Sequence, residues 1–249
     1  MSVLNQNGYY GEPSQNQFYA AENRAGVFLY ETLSSYTTKT FGWMFAGLGI
    51  TFLTALAFYA TGLAYLVASN RLLLIGVSIA ELVVVFSMSA RVRTLSVGGA
   101  RGRFFAYAAL NGVVFSSYFF LFDMFDLVLA FGATALYFGI MAGYGYVTKK
   151  DLCGWQKPLF FGLVAILIVS VIGMFFSGIN ILLTCAGIVL FACYTAYDTQ
   201  KIKAAYYAYA GNEQLSKKAS IFAALDLYLD FINMFLYILR LFARSNQDN

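Results

Sequence analysis

The chain has 249 residues, of which 60% are hydrophobic and only 11% are charged, with a formal net charge of +4 and no histidine. Because soluble globular proteins typically carry about 25% charged residues, this composition excludes that class. The lack of histidine also excludes histidine-ligated zinc or haem, Ser–His catalysis and the usual side chain for pH sensing.

The chain begins with a polar segment that contains no apolar core of the kind found in a signal peptide. We predict that residues 1–38 form a disordered cytoplasmic tail, followed by a transmembrane domain at 39–243 and a short C-terminal tail at 244–249. Basic residues lie near the ends of the apolar segments rather than on one face, so we expect no nucleic-acid partner.

Seven apolar segments follow the tail, and each is long enough to cross a hydrocarbon core about 30 Å thick. This pattern predicts an all-α polytopic membrane protein with seven transmembrane helices in a lipid bilayer. The predicted spans are 41–67, 71–90, 104–122, 127–147, 158–176, 179–199 and 219–241.

Glycine is frequent inside these spans, as at Gly42, Gly47 and Gly49 in the first span and at Gly139 and Gly143 in the fourth. Small residues allow membrane helices to approach each other closely. We therefore expect these glycines to lie at tight helix contacts.

The distribution of basic residues predicts the orientation. Thirteen lysines and arginines lie in the N-terminal tail and in the loops after spans two, four and six, against three (Arg71, Arg240 and Arg244) on the other side. Positive loops favour the cytoplasm, so the N-terminus should be cytoplasmic and the C-terminus outside. A re-entrant last segment, which would return the C-terminus to the cytoplasm, is the alternative.

Four acidic residues interrupt the apolar spans: Glu81, Asp198, Asp226 and Asp230. Burying a carboxylate in a bilayer is costly, so such residues indicate a functional site facing the bundle interior or water. The alternative is a protonated acid that only hydrogen-bonds between helices. For Glu81, midway along the second span, we predict a structural charge pair with Arg240.

Asp226 and Asp230 share one helix face, and Asn233 lies one turn further on. Two or three carboxylates in a poorly hydrated site cannot all stay ionised. They could share a proton as a gate, bind calcium weakly through Asp198, Asp226 and Asp230, or act in acid–base catalysis. Asp226 and Asn233 are candidates for an additional ion or proton site.

The predicted span ends place these acids at different depths. At a rise of 1.5 Å per residue, Asp198 should lie about 5 Å inside the cytoplasmic edge, Asp226 about 10 Å and Asp230 about 17 Å. This count brings Asp226, rather than Asp230, nearest to Asp198, unless the span boundaries shift or the helices tilt.

Four segments closely resemble the Bax inhibitor-1 family, also called transmembrane Bax inhibitor motif proteins, and in particular its bacterial inner-membrane members. They are YTTKTFGWMFAGLGIT at 36–51, YGYVTKKDL at 144–152, TAYDTQKIK at 195–203 and ALDLYLDFINMFLYILR at 224–240. The similarity extends over residues 30–243. It implies six helices around a central C-terminal helix in a bacterial inner (plasma) membrane.

The resemblance also implies a function, which is a pH-sensitive calcium leak. Two aspartates gate the leak, and the motifs place them at Asp198 and Asp230. A proton shared by this pair favours the closed state. Some family members have an arginine near the pair, and Arg91 or Arg93 lies in the matching region. Asp226 departs from the family pattern, which usually has an uncharged residue there.

Other functions remain as alternatives. A calcium/proton exchanger would use the same residues, and a regulatory protein that modulates membrane quality-control machinery would need a membrane-protein partner. An intramembrane aspartyl protease is disfavoured because GYGY at 143–146 lacks the aspartate of the GxGD motif. We therefore predict no enzymatic activity and no cofactor, with calcium as a permeant or transiently bound ion.

Overall fold

The computed structural model describes residues 31–91, 94–173, 180–209 and 211–245. These ranges contain helices and no strands. Seven segments in them are long and apolar enough to cross a membrane: Leu33–Ala60, Arg71–Ala90, Val97–Leu121, Met124–Val147, Cys153–Ser170, Ile181–Tyr209 and Glu213–Ala243. The predicted all-α polytopic membrane fold is confirmed.

The helices are numbered here in chain order. They are α1 (Leu33–Ala60), α2 (Leu63–Ser69), α3 (Arg71–Ala90), α4 (Val97–Ser116), α5 (Tyr118–Leu121), α6 (Met124–Val147), α7 (Gln156–Gly173), α8 (Asn180–Tyr209) and α9 (Glu213–Ser245). The short helix α2 follows the first span, the four-residue α5 extends the third, and a 3-10 turn at Cys153–Trp155 precedes α7.

The first span differs from its predicted bounds of 41–67 at both ends. Thr32 caps α1 by accepting a hydrogen bond from the Ser35 N–H at 3.2 Å, so the helix begins before the predicted domain boundary at residue 39. Gly62 has a φ of 77°, a left-handed conformation that favours glycine, and it separates α1 from α2. Residues 1–30 of the predicted tail lie outside the described residues.

The last two helices extend well beyond their predicted spans of 179–199 and 219–241. Hydropathy marks only the part of a helix that contacts hydrocarbon, whereas the hydrogen-bonded helix continues through charged residues such as Lys201 and Lys203. Helix α9 is one continuous helix of 33 residues. A re-entrant segment would instead turn back within the membrane. Of the predicted C-terminal tail, residues 246–249 lie outside the described residues.

Helix α9 lies at the centre of the bundle. Its side chains include Leu227, Tyr228 and Met234, which are completely buried. It packs directly against α1, α4, α6 and α8, while α3 packs on α4 and α7 packs on α8. The central helix is therefore in direct contact with four of the other six spans.

Hydroxyl groups connect α1 to this central helix at two levels. Thr40 and Ser220 hydrogen-bond at 2.8 Å, and Thr51 and Tyr228 hydrogen-bond at 2.6 Å. The Thr51 hydroxyl also lies 2.9 Å from the carbonyl oxygen of Ala108 in α4. Polar contacts of this kind stabilise membrane helix packing because hydrocarbon offers no other partner.

The close helix contacts involve different glycines from those predicted. The only predicted glycine that is closely packed is Gly47, where an added Cβ would lie 3.2 Å from the Tyr228 ring. At the other four predicted positions, an added Cβ would meet no atom within 4 Å, so the prediction was wrong for Gly42, Gly49, Gly139 and Gly143.

Two glycines that the spacing did not single out lie at backbone contacts. An added Cβ at Gly112 in α4 would lie 2.6 Å from the Thr51 carbonyl oxygen in α1. At Gly145 in α6, an added Cβ would overlap the backbone of Ala196 in α8. Glycine spacing reveals that helices could approach closely, but not which helix face meets a neighbour.

We expect Gly145→Ala to lower the thermal unfolding midpoint in detergent by about 5 °C, because backbone atoms of Ala196 cannot move away as a side-chain tip can. The control is Gly132→Ala in the same helix, where an added Cβ meets nothing within 4 Å. That change should be neutral or slightly stabilising, since alanine favours helix over glycine by about 1 kcal/mol. Equal midpoints for the two variants would contradict the proposed backbone contact.

Candidate functional site

The candidate site lies where α8 and α9 cross near the bundle centre. Asp198 projects from α8, and Asp226 and Asp230 project from one face of α9. Asp198 and Asp230 are buried, with 7% and 4% of their surfaces exposed. Asp226 lies one turn closer to the start of α9 and is only partly buried.

The carboxyl groups of Asp198 and Asp230 face each other across the α8–α9 contact, within reach of a hydrogen bond. An ionised carboxylate only accepts hydrogen bonds, so a hydrogen bond between them requires a proton on one of the two groups. The Oδ2 atom of Asp230 is buried and has no hydrogen-bond partner among the described residues. The structure therefore brings the two aspartates together in a geometry that allows one proton to be shared.

Lys201 connects this pair to the third carboxylate. Its Nζ donates to Oδ2 of Asp226 at 3.2 Å and lies 3.7 Å from Oδ1 of Asp198. The side chains of Lys201 and Asp226 are 42% and 36% exposed, against 9% for Asp198. The ammonium compensates much of the negative charge at the more exposed end of the site.

The observed contacts differ from the order of depths counted on the sequence. Helix α8 continues from Asp198 to Tyr209, which places Asp198 about 16 Å from the helix end, but α9 also begins before its predicted span, so Asp226 and Asp230 lie about 20 Å and about 26 Å from its start. Asp230 nevertheless lies beside Asp198, while Lys201 connects Asp198 to Asp226. Both span boundaries therefore shift, and the two helices are tilted or offset relative to each other.

Asn233 and the set of three carboxylates were the sequence candidates for binding an ion. The amide nitrogen of Asn233 donates to the Leu229 carbonyl oxygen at 2.8 Å, within its own helix. In the described parts of the chain, no three His, Cys, Asp or Glu side chains converge closely enough to hold a metal ion. The weak calcium site at Asp198, Asp226 and Asp230 stays a prediction, and Lys201 contacts two of these carboxylates here.

The predicted arginine contact is absent between the described residues. Arg91 is exposed at the C-terminal end of α3, and it forms no hydrogen bond or ion pair with Asp198 or Asp230. Arg93 lies outside the described residues. The cation beside the aspartates is instead Lys201, which reaches them from within α8.

The predicted Glu81–Arg240 pair does not form between these described residues. Oε1 of Glu81 is buried and has no hydrogen-bond partner in the part of the chain that the structure describes. The exposed Arg240 guanidinium lies 5.6 Å from the centre of the Tyr237 ring instead. Helix α3, which carries Glu81, packs mainly on α4 rather than on α9, so the two side chains do not meet.

One residue at the site was missed from the sequence. Lys201 was assigned to a cytoplasmic loop because the predicted span ended at 199. Extending α8 places Asp198 and Lys201 three residues apart on one helix face, a spacing that could have revealed the ion pair.

Comparisons with known proteins place the chain in a family. The family model described as "Inhibitor of apoptosis-promoting Bax1" matches residues 33–248. Inner membrane protein YbhL of Escherichia coli K12 is 38% identical over 222 residues, covering 84% of this chain and 92% of YbhL. An uncharacterized protein of Borreliella burgdorferi is 34% identical over 221 residues, covering 86% of this chain and 94% of its own length. This integral membrane protein therefore belongs to the Bax inhibitor-1 family.

Proposed function

We propose that this protein is a pH-sensitive calcium leak channel whose closed state is held by a proton shared between Asp198 and Asp230. The observation that carries the proposal is that these two buried carboxyl groups face each other within reach of a hydrogen bond. The pair lies between α8 and the central helix α9, at the positions to which the family resemblance assigns gating. Membership of the family supports the proposal.

Loss of the shared proton would leave two anions in contact inside the bundle. Like charges at hydrogen-bond distance repel strongly where water is scarce. The repulsion favours separation of α8 from α9 and exposes carboxylate oxygens, which calcium prefers as ligands. Rising pH thus opens the leak, and falling pH restores the carboxyl–carboxyl contact.

Asp226 and Lys201 form the entrance to this site. The partly exposed Asp226 can attract a cation, whereas the Lys201 ammonium competes for the same carboxylate oxygen at 3.2 Å. Lys201 also lies near Asp198 and favours its ionised form. The lysine would therefore oppose cation binding and at the same time ease release of the shared proton.

In the proposed orientation, this entrance lies on the cytoplasmic side of the membrane. With seven spans in the described residues, the positive-inside asymmetry favours a cytoplasmic N-terminus and an outer C-terminus. We further propose that the membrane is a bacterial inner membrane, as the name of the relative YbhL suggests. In this proposal the protein is not an enzyme, and calcium is its permeant ion.

We expect calcium flux into proteoliposomes that contain only the purified protein to rise about fivefold between about pH 6 and about pH 8, as the shared proton is lost. Asp230→Asn should keep flux low across this range, because the amide donates a hydrogen bond to Asp198 without losing a proton. Asp198→Asn should likewise remove the pH dependence. The measurement is fluorescence of a calcium indicator enclosed in the vesicles.

Asp123→Asn is the matched control, since it neutralises an exposed carboxylate at the start of α6 and should leave the pH profile unchanged. Unchanged flux in both Asp198→Asn and Asp230→Asn would contradict the two-aspartate mechanism. Uphill calcium movement driven by an imposed pH gradient would instead identify an exchanger. Absence of flux in wild-type vesicles would favour a regulatory role with a protein partner.

The contacts of Lys201 predict opposite shifts for two substitutions. Asp226→Asn removes one of the two carboxylates that Lys201 contacts, so the ammonium can move closer to Asp198. Because a nearby cation favours the ionised form of Asp198, the midpoint of the flux–pH curve should fall by about half a pH unit to one pH unit. Lys201→Met removes the cation and should raise the midpoint by a similar amount. Both are measured with the same calcium flux assay over a series of pH values.

Lys217→Met serves as the control for Lys201→Met, because Lys217 pairs with Glu213 at the beginning of α9. It should leave the midpoint unchanged. If Asp226→Asn and Lys201→Met shifted the midpoint in the same direction, this result would contradict the proposal that Asp226 and Asp198 compete for the Lys201 ammonium.

A further inference from the structure

A groove of about 500 Å³ lies on the flank of the bundle, away from the aspartate site. One wall is the face of α1 from Ser34 to Phe45, and the other is the face of α6 from Ala135 to Tyr146. Its floor includes Phe231 of the central helix. Helices α1 and α6 both pack on α9, and the groove separates them.

The groove is concave because two glycines leave its α6 wall without side chains. Gly139 and Gly143 line it, and an added Cβ at either position would meet no protein atom within 4 Å. On the opposite wall, Phe45 is 62% exposed. Both walls belong to membrane spans, so the space opens toward the hydrocarbon of the bilayer.

The length of the groove matches one leaflet. From Ser34 to Phe45 and from Ala135 to Tyr146, each wall covers 11 residue steps, or about 16 Å along the helix axis. The hydrocarbon core of a bilayer is about 30 Å thick, so half of it is about 15 Å. One acyl chain that starts at the interface would therefore reach the end of the groove.

The two ends of the groove differ in chemistry. The end where α1 begins and α6 ends carries the hydroxyl groups of Ser34, Thr37, Thr38 and Tyr146. The Thr37 hydroxyl is buried and has no hydrogen-bond partner among the residues that the structure describes. The Lys203 ammonium donates to the Tyr146 carbonyl oxygen and lies 4.8 Å from the centre of that ring. Hydroxyl donors and a cation complement a phosphate group.

The opposite end is apolar and lies deeper in the span, near Phe45 and Ala135. A ligand with an anionic head and a long hydrocarbon tail fits both ends at once. We propose that the groove between α1 and α6 is a binding site for one phospholipid, with an acyl chain along Gly139 and Gly143 and its phosphate at the hydroxyl end beside Lys203. This site is independent of the proposed calcium leak.

The test uses the full-length protein, purified in detergent, freed of bulk lipid and titrated with dioleoyl phosphatidylglycerol under native mass spectrometry. Wild type should bind one lipid with higher affinity than any further lipid. The double substitution Gly139→Leu and Gly143→Leu fills the groove and should weaken that first binding event about tenfold or more. Leucine favours helix over glycine, so α6 should persist.

Gly132→Leu is the matched control, because this glycine has open space around it in the same helix but does not line the groove. It should bind lipid as wild type does. Gly143→Leu alone provides the same test if the double variant does not fold. Equal lipid affinity in wild type and the groove-filled proteins would overturn the proposal, as would an equal loss in Gly132→Leu.

The head-group end is tested separately with Thr37→Val, which keeps the shape of the side chain and removes its hydroxyl. It should weaken binding of dioleoyl phosphatidylglycerol severalfold and leave binding of dioleoylglycerol, which lacks the phosphate, unchanged. Inorganic phosphate alone should not compete. Competition by inorganic phosphate would show a free-phosphate site and overturn the proposal.

A protease experiment tests the other possible occupant of the groove, the N-terminal segment. If residues 1–30 were protected from protease in wild type and lost that protection when the groove is filled, the N-terminal segment would be the occupant and the proposal would be overturned.

Discussion

The contact on which this structure depends is the approach of two acids that repel each other when both are ionised. Asp198 and Asp230 lie at the crossing of α8 with the central helix, where little water can screen their charges. The contact combines the packing of two helices with a place for one proton. In the proposed mechanism, the bundle stays closed only while that proton is retained.

Two different kinds of contact connect the central helix α9 to its neighbours α1 and α8. On one side of α9, the Thr40–Ser220 and Thr51–Tyr228 hydrogen bonds fix the central helix to α1 independently of pH. On the other side, the carboxyl pair and Lys201 connect it to α8 through ionisable groups. The carboxylate and ammonium contacts are therefore concentrated on one interface of α9, and this is the interface that the proposed gating would use.

The sequence predicted the number of spans and the fold class because hydropathy is a property of the chain itself, and the family motifs singled out the two aspartates that lie at the α8–α9 contact. It did not predict which way each helix is rotated. Gly139 and Gly143 have the spacing of a packing motif but face a groove, whereas the isolated Gly145 meets the backbone of α8. Glu81 and Arg240 are complementary in charge, yet α3 packs mainly on α4 rather than on α9. Such errors arise because rotation depends on the partner helix, which a single sequence does not specify.

The backbone contact at Gly145 has a mechanical consequence. Because no side chain stands between them, the backbones of α6 and α8 are held close together at this point. Helix α6 also forms one wall of the groove, opposite α1. The position of that wall therefore depends on a contact with α8, and a side chain added at Gly145 would displace the wall as well as separate the two backbones.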